Sequence, residues 1–205
     1  MKHINLKNII ITCGICLLPV LFGLMAWDKL PDTLAIHFNF KGEPDNFSPK
    51  WFVVFMFPVI IAAAQVFCCI VTDINSGRYG ENIRFERVMR WILPFVSVVL
   101  QIVTLAYGLG FDVDIRKAAV TIIGIIFLAI GSVLPTLDYI KNYNIEPKKA
   151  RKINRFIGFE TVIMGVIMLI TVPLPPTASV IGLILLIPYS LIGAVYGIIT
   201  AKSKD

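Results

Sequence analysis

Apolar residues run through this chain in six long stretches, separated by shorter polar segments. Each stretch holds about 20 residues, which at ~1.5 Å per residue matches the ~30 Å hydrocarbon core of a bilayer. The pattern predicts an all-α polytopic membrane protein, in which residues 1–205 form a single membrane domain. The predicted spans are about 9–27, 51–72, 91–111, 117–137, 157–173 and 179–200, of which the fifth is the shortest.

The composition agrees with a membrane protein and argues against an enzyme. Hydrophobic residues make up 57% of the chain and charged residues 16%, whereas soluble domains average roughly 45–50% apolar and ~25% charged residues. The longest polar segment, residues 28–50, is far below the ~40 residues under which a domain needs disulfides or metals. Because no HExxH, GxSxG or P-loop motif occurs either, we expect no catalytic activity and no cofactor.

The distribution of Lys and Arg predicts the orientation in the membrane. The chain carries a net charge of +6, which the positive-inside rule explains without nucleic-acid binding. Most of the 19 basic residues flank the spans on the side shared by both termini, so we predict that both termini are cytoplasmic. The opposite side carries Lys29, Lys41, Lys50, Arg116 and Lys117.

Four cysteines lie inside the first two predicted spans, near their cytoplasmic ends. A four-sulfur metal cluster between two antiparallel helices is one interpretation. The favoured alternative is that cysteine serves as a small residue in close helix packing. The four are Cys13, Cys16, Cys68 and Cys69.

Polar residues within the spans are few and are expected to join helices. Gln65 and Gln101 are predicted to form interhelical hydrogen bonds. Asp138 and Glu160 lie at the cytoplasmic ends of the fourth and fifth spans, with Glu160 about one turn into its span. We predict that they form structural ion pairs with Arg155, a proton or ligand role being the alternative.

The two predicted cytoplasmic loops, 72–90 and 138–155, are basic and contain interspersed aromatic residues. Such segments attract anionic lipid at about 1 kcal/mol per basic residue. A more specific interpretation is that the two loops form a docking surface for a regulatory protein. Its candidate residues are Arg84, Arg87, Lys148, Lys149, Arg151 and Lys152.

The outer loop 28–50 has an ordered pattern. Apolar and polar positions alternate over Leu34–Lys41, which predicts a short extended segment at the membrane interface. Its apolar edge, which would face the lipid or the helix bundle, consists of Leu34, Ile36, Phe38 and Phe40. His37 and Asn39 are predicted to face the other way, and 41–45 reads as a turn. The single histidine lacks the partner spacing of a metal site, so none is expected here.

The same loop closely resembles that of the SdpI family of bacterial membrane immunity proteins. A weaker resemblance covers IGSVLP (130–135) and KINRFIG (152–158), although Ser132 replaces an Asn and the family's Gly-Ile-Arg-Thr-Pro-Trp stretch is missing. The resemblance therefore carries over the architecture better than the mechanism. The matching loop positions are Leu30, Pro31, Ile36, His37, Phe38, Asn39, Gly42, Pro44, Asp45 and Lys50.

The resemblance implies a protein of the bacterial plasma membrane that protects the cell from a secreted, membrane-active peptide toxin. It also implies that toxin engagement lets the protein hold a cytoplasmic repressor at the membrane. Pro31, Gly42 and Pro44 would shape the turn. A signalling receptor without direct protection and a small exporter are the alternatives. The candidate toxin-binding residues are His37, Phe38, Asn39, Phe40, Glu43, Asp45 and Lys50.

Overall fold

Among the residues that the structure describes, six helical stretches are long and apolar enough to cross a membrane, which confirms the predicted class. The computed structural model describes residues 4–39, 42–79, 82–137 and 145–202. The α-helices are α1 (Leu6–Leu17), α2 (Pro19–Met25), α3 (Phe57–Tyr79), α4 (Ile83–Gly108), α5 (Ile115–Val133), α6 (Pro147–Thr171) and α7 (Pro176–Lys202). Two strands, β1 (Thr33–Phe38) and β2 (Pro44–Pro49), lie between α2 and a π-helical turn at Phe52–Met56, and 3₁₀ turns occur at Trp27–Lys29 and Leu134–Thr136.

The chain packs as two units. Unit 1 comprises Met1–Arg78 and Met89–Ala118, so it contains α1, α2, the strands, α3 and most of α4. Unit 2 comprises Tyr79–Val88 and Ala119–Asp205, so it contains the start of α4, most of α5, and α6 and α7.

Two helices begin well before the predicted spans. α4 begins at Ile83 rather than at residue 91, and α6 begins at Pro147 rather than at residue 157. α6 therefore has 25 residues and is not the shortest span, and Glu160 lies near its middle. Lys and Arg are good helix formers, and proline suits the first helical position, so the helix continues beyond the apolar stretch.

Two distortions in unit 1 are bridged by polar side chains of α4. The first span breaks at Leu18, before Pro19, and the hydroxyl of Ser97 donates a 2.9 Å hydrogen bond to the Cys16 carbonyl there. In the π-helical turn, the side-chain amide of Gln101 donates to the Val53 carbonyl at 2.7 Å. Neighbouring helices thus supply the hydrogen bonds that irregular backbone needs within a membrane.

Glycines set the packing of α5 against α6 in unit 2. A Cβ added at Gly131 would lie 2.8 Å from the Gly158 carbonyl oxygen, and one added at Gly165 would lie 2.9 Å from the Gly124 carbonyl oxygen. On each helix the two glycines are about two turns apart. Both contacts require glycine, so the two helices approach with their backbones nearly touching.

Candidate functional site

The loop 28–50, which is predicted to lie outside the cell, folds as a β-hairpin in unit 1. β1 pairs with β2 in antiparallel register, with Thr33 opposite Pro49 and Ala35 opposite Phe47. The sequence pattern predicted only the first of these strands. β2 was missed because it contains prolines and no apolar alternation, both of which an edge strand tolerates.

Register shifts distort the first strand. The pairing slips between Ala35 and His37, and again between His37 and Phe38. Leu34 and Ala35, which precede the first slip, are both buried, whereas Ile36, at the slip, is 47% exposed. A β-bulge redirects the side chains next to it, so Ile36 does not share the buried side of Leu34, and its place on an edge that faces lipid stays a prediction.

The hairpin is anchored to the helices by its apolar base. Leu34 is 1% exposed and packs with Leu30, Val53, Val54 and Leu105. The ring of Phe38 meets that of Tyr107 edge to face, with centroids 5.1 Å apart. Burying a side chain such as Leu34 stabilises the fold by roughly 1.5–3 kcal/mol. Phe38, a candidate ligand-binding residue, thus also fastens the hairpin to α4.

His37 and Asp45 form a pair across the two strands. The imidazole Nδ1 lies 2.5 Å from the Asp45 Oδ1. The side chains are 67% and 43% exposed. An exposed pair adds only about 0–1 kcal/mol to stability, whereas its accessibility suits it to contact a ligand.

Asn39 and Glu43 close the turn of the hairpin. The Asn39 backbone N–H donates to the Glu43 carbonyl at 2.9 Å. The Asn39 side chain accepts from the Glu43 N–H and donates to the Glu43 carboxylate, each at 3.0 Å. Gly42 has a φ of +82°, which side-chain-bearing residues rarely adopt. Phe40, the remaining candidate of this turn, lies outside the described residues.

Lys50 ties the end of the hairpin to the end of the first span. Its ammonium group lies 3.4 Å from the Leu30 carbonyl oxygen and 3.4 Å from the Asp32 carboxylate. It also stands 5.0 Å from the centroid of the Trp27 ring. With its side chain only 20% exposed, Lys50 positions the hairpin more than it faces solvent. Pro31 is exposed just before β1.

Exposed apolar residues accompany the polar pair. Ile36 is 47% exposed and Phe47 is 54% exposed. Phe47 was not among the predicted binding residues, because it stands alone in a polar stretch of the sequence. We use the term hairpin surface for Ile36, His37, Asp45 and Phe47.

Unit 1 also contains a buried polar cluster, which joins α1, α3 and α4. The Arg90 guanidinium lies 2.5 Å from the Asp73 carboxylate, and these side chains are only 13% and 4% exposed. The Asn5 backbone N–H donates to the same carboxylate at 2.8 Å, and the Gln65 amide donates to the Arg90 carbonyl at 2.9 Å. The interhelical roles predicted for Gln65 and Gln101 are thus confirmed, whereas the sequence placed Asp73 in a loop.

The cysteines take part in helix packing as free thiols. Cys13 donates to the Ala62 carbonyl and Cys68 to the Met89 carbonyl, each at 3.6 Å. Cys69 accepts a 3.2 Å hydrogen bond from Gln65. Within the part of the chain that the structure describes, no group of three or more His, Cys, Asp or Glu residues could hold a metal ion.

The predicted ion pair between Arg155 and Glu160 is wrong. Glu160 is 8% exposed and faces α7, where a Cβ added at Gly193 would lie 2.5 Å from its Oε2. Its Oε1 has no hydrogen-bond partner among the described residues. Residues five positions apart lie on different faces of a helix, so Arg155 points elsewhere. Asp138, the third member of the predicted pairs, lies outside the described residues.

Within the described residues, the basic side chains of unit 2 belong to helices. Arg84 and Arg87 belong to the first turns of α4, and Lys149 belongs to α6. The start of α4 is fixed to the end of α5 because Asn82 donates to the Thr136 carbonyl at 2.9 Å. A cavity of about 480 Å³ opens at the start of α6 and is lined by Pro147, Lys148, Arg151, Lys152 and Arg155.

Comparison with known protein families gives a match to part of the chain. Residues 14–62 match a family described as a domain of unknown function, DUF1648. No curated protein and no solved structure matches the chain. The matched segment runs from α1 through the hairpin into α3, so it includes every residue of the hairpin surface. The chain is therefore similar to this family in the part that builds the candidate site.

Proposed function

We propose that this protein is an immunity protein, which binds a secreted, membrane-active peptide toxin at the hairpin surface and neutralises it without catalysis. The observation that carries the proposal is a hairpin fixed to the helices on one side and exposed on the other. Its exposed part combines apolar Ile36 and Phe47 with the polar pair of His37 and Asp45. Membrane-active peptides are themselves amphipathic, so such a surface complements them.

The backbone of the hairpin offers a second means of binding. In a two-stranded sheet each strand has one edge without a strand partner. An extended peptide can add to such an edge through main-chain hydrogen bonds, while side-chain contacts provide the specificity. The positive-inside rule predicts that this end of unit 1 is extracellular, which is where a secreted toxin arrives.

The resemblance to the SdpI family supports the same function. The residues that carry it lie in the hairpin and its flanks, within the segment 14–62 that matches the domain of unknown function. We further propose that the cell is bacterial and that the protein resides in its plasma membrane with both termini inside. Holding a cytoplasmic repressor would then be a second output of toxin binding.

The test is survival of a sensitive bacterium that expresses the protein, challenged with a panel of secreted membrane-active peptides. Phe47→Ser is expected to abolish protection, because it removes an exposed apolar contact of the hairpin surface. Phe111→Ser is the matched control, since Phe111 is 64% exposed in the loop between α4 and α5. If Phe47→Ser protects as well as the wild type at an equal membrane level, the proposed site is wrong.

A further inference from the structure

A groove on unit 2 continues the basic cavity at the start of α6. The groove has a volume of about 570 Å³ and is formed by the end of α5, the middle of α6 and Tyr196 of α7. Lys152 and Arg155 line both the cavity and the groove. The two spaces therefore form a continuous surface that passes from charged to apolar residues along one helix.

The apolar part of the groove has aromatic and small residues. The rings of Phe156 and Tyr196 stack with centroids 3.9 Å apart, and Phe159 is 67% exposed. Gly131 and Gly158 also line the groove, where α5 and α6 approach too closely for a side chain to fit. We call this apolar part of the groove, which is lined by aromatic side chains and glycine backbone, the apolar channel.

The length and charge of this surface match one kind of ligand. From Lys152 to Val162, which lines the groove furthest along α6, the helix rises about 15 Å, half the thickness of the hydrocarbon core. Lys and Arg bind phosphate oxygens through charge-assisted hydrogen bonds. The positive-inside rule also predicts that the basic end of α6 lies at the cytoplasmic membrane surface.

We propose that this groove binds an anionic phospholipid of the cytoplasmic leaflet. The lipid phosphate lies between Lys152 and Arg155, and one acyl chain follows the channel past Phe156 and Phe159. Basic pockets between transmembrane helices are suited to such headgroups. The site shares no residue with the hairpin surface, and lipid binding there does not require toxin binding.

The test measures lipid binding by the purified full-length protein in micelles of neutral detergent, using native mass spectrometry and titration with phosphatidylglycerol. Phosphatidylcholine and inorganic phosphate are titrated in parallel. The double variant Lys152→Gln/Arg155→Gln is expected to bind phosphatidylglycerol roughly 25-fold more weakly, since each basic residue at a membrane surface contributes about fivefold. Arg84→Gln/Arg87→Gln is the matched control and is expected to bind normally.

A second variant tests the apolar channel. Ser132 lines the groove, and Ser132→Phe is expected to fill it and to weaken phosphatidylglycerol binding while leaving the basic cavity intact. Equal weakening in the Arg84/Arg87 control would overturn the proposal, because it would show diffuse attraction to basic surface. Equal competition by inorganic phosphate would also overturn it. So would unchanged lipid affinity in the Lys152/Arg155 variant, which would leave this basic surface to a soluble protein partner.

Discussion

His37 Nδ1 lies 2.5 Å from Asp45 Oδ1 across the two strands of the hairpin, although both side chains are open to solvent. Such a pair contributes little to folding, but it fixes the direction in which the imidazole points. Because an ionised carboxylate only accepts hydrogen bonds, Nδ1 donates to Asp45, which leaves the other ring nitrogen, Nε2, for a ligand. The pair thus holds a polar group in a defined position on the hairpin surface.

Gly108 is predicted to be required for the packing of the hairpin against α4. A Cβ at this position would overlap Leu34 Cδ2, and overpacking of a buried site typically costs about 1–3 kcal/mol. Gly108→Ala should therefore lower the unfolding temperature in detergent and reduce protection together. Gly14→Ala is the control, because nothing lies within 4 Å of an added Cβ there. An unchanged unfolding temperature for Gly108→Ala would show that Leu34 of the hairpin does not pack tightly against Gly108 of α4.

Gln101 is predicted to stabilise the π-helical turn before α3. Its amide donates to the Val53 carbonyl at 2.7 Å, and its side chain is buried. Gln101→Leu would leave that carbonyl without this donor, a loss of about 1–3 kcal/mol. The measurement is chemical or thermal unfolding in micelles, with Ser132→Ala as a control that removes only an exposed hydroxyl. A Gln101→Leu protein as stable as the wild type would contradict the prediction.

The stability of the protein is predicted to depend on the charge of one buried acid and not on that of another. Asp73→Asn weakens the pair with Arg90, and breaking a buried pair typically costs about 3–5 kcal/mol. Glu160→Gln removes a carboxylate whose Oε1 has no partner among the described residues, so stability should be unchanged or higher. Unfolding of both variants in micelles compares the two. Strong destabilisation by Glu160→Gln would mean that this carboxylate has a partner outside the described residues.

Asp114 is predicted to make part of the stability pH-dependent. Burial raises the pKa of Asp114, but the Lys117 backbone N–H and the charges of Arg116 and Lys117 outweigh it and hold the pKa below its usual value. A carboxyl whose folded pKa is depressed contributes stability above its unfolded pKa of ~3.9, and this is lost as the pH falls through the folded pKa.

The check is the unfolding temperature across acidic and neutral pH. Asp114→Asn should lose stability relative to the wild type at neutral pH, and the difference should shrink in acid. Asp114→Ala should also lose the hydrogen bond to Lys117 that caps α5, about 0.5–2 kcal/mol. If the difference in unfolding temperature between the wild type and Asp114→Asn does not change with pH, the stabilising role of the ionised Asp114 is contradicted.

Six spans could be predicted from the sequence because long apolar stretches are required wherever a helix crosses a bilayer. The starts of α4 and α6 could not be located by hydropathy, since charged residues continue a helix beyond the hydrocarbon. A signal for α6 was nevertheless available, because Pro147 is followed by good helix formers. The glycine contacts between α5 and α6 were also missed, although the regular spacing of Gly124, Gly131, Gly158 and Gly165 was visible.

Only part of the candidate site could be predicted from the sequence. The alternation over β1 revealed an extended segment, but the bulge that exposes Ile36 depends on pairing with β2, which the sequence pattern did not reveal. Asn39 and Glu43 were assigned to a ligand, whereas they bond to each other across the turn. A polar residue in a turn can serve local backbone geometry as well as binding, so the sequence alone does not separate these two roles.

The most direct test of the account is site-specific photo-crosslinking on the protein as it stands in the membrane. A photoreactive amino acid is placed at Phe47 or, as the control, at Phe111, in cells challenged with a peptide against which the protein protects. We expect a covalent adduct with the peptide from position 47 and none from position 111. Protection without an adduct at position 47, or equal adducts at both positions, would contradict binding at the hairpin surface.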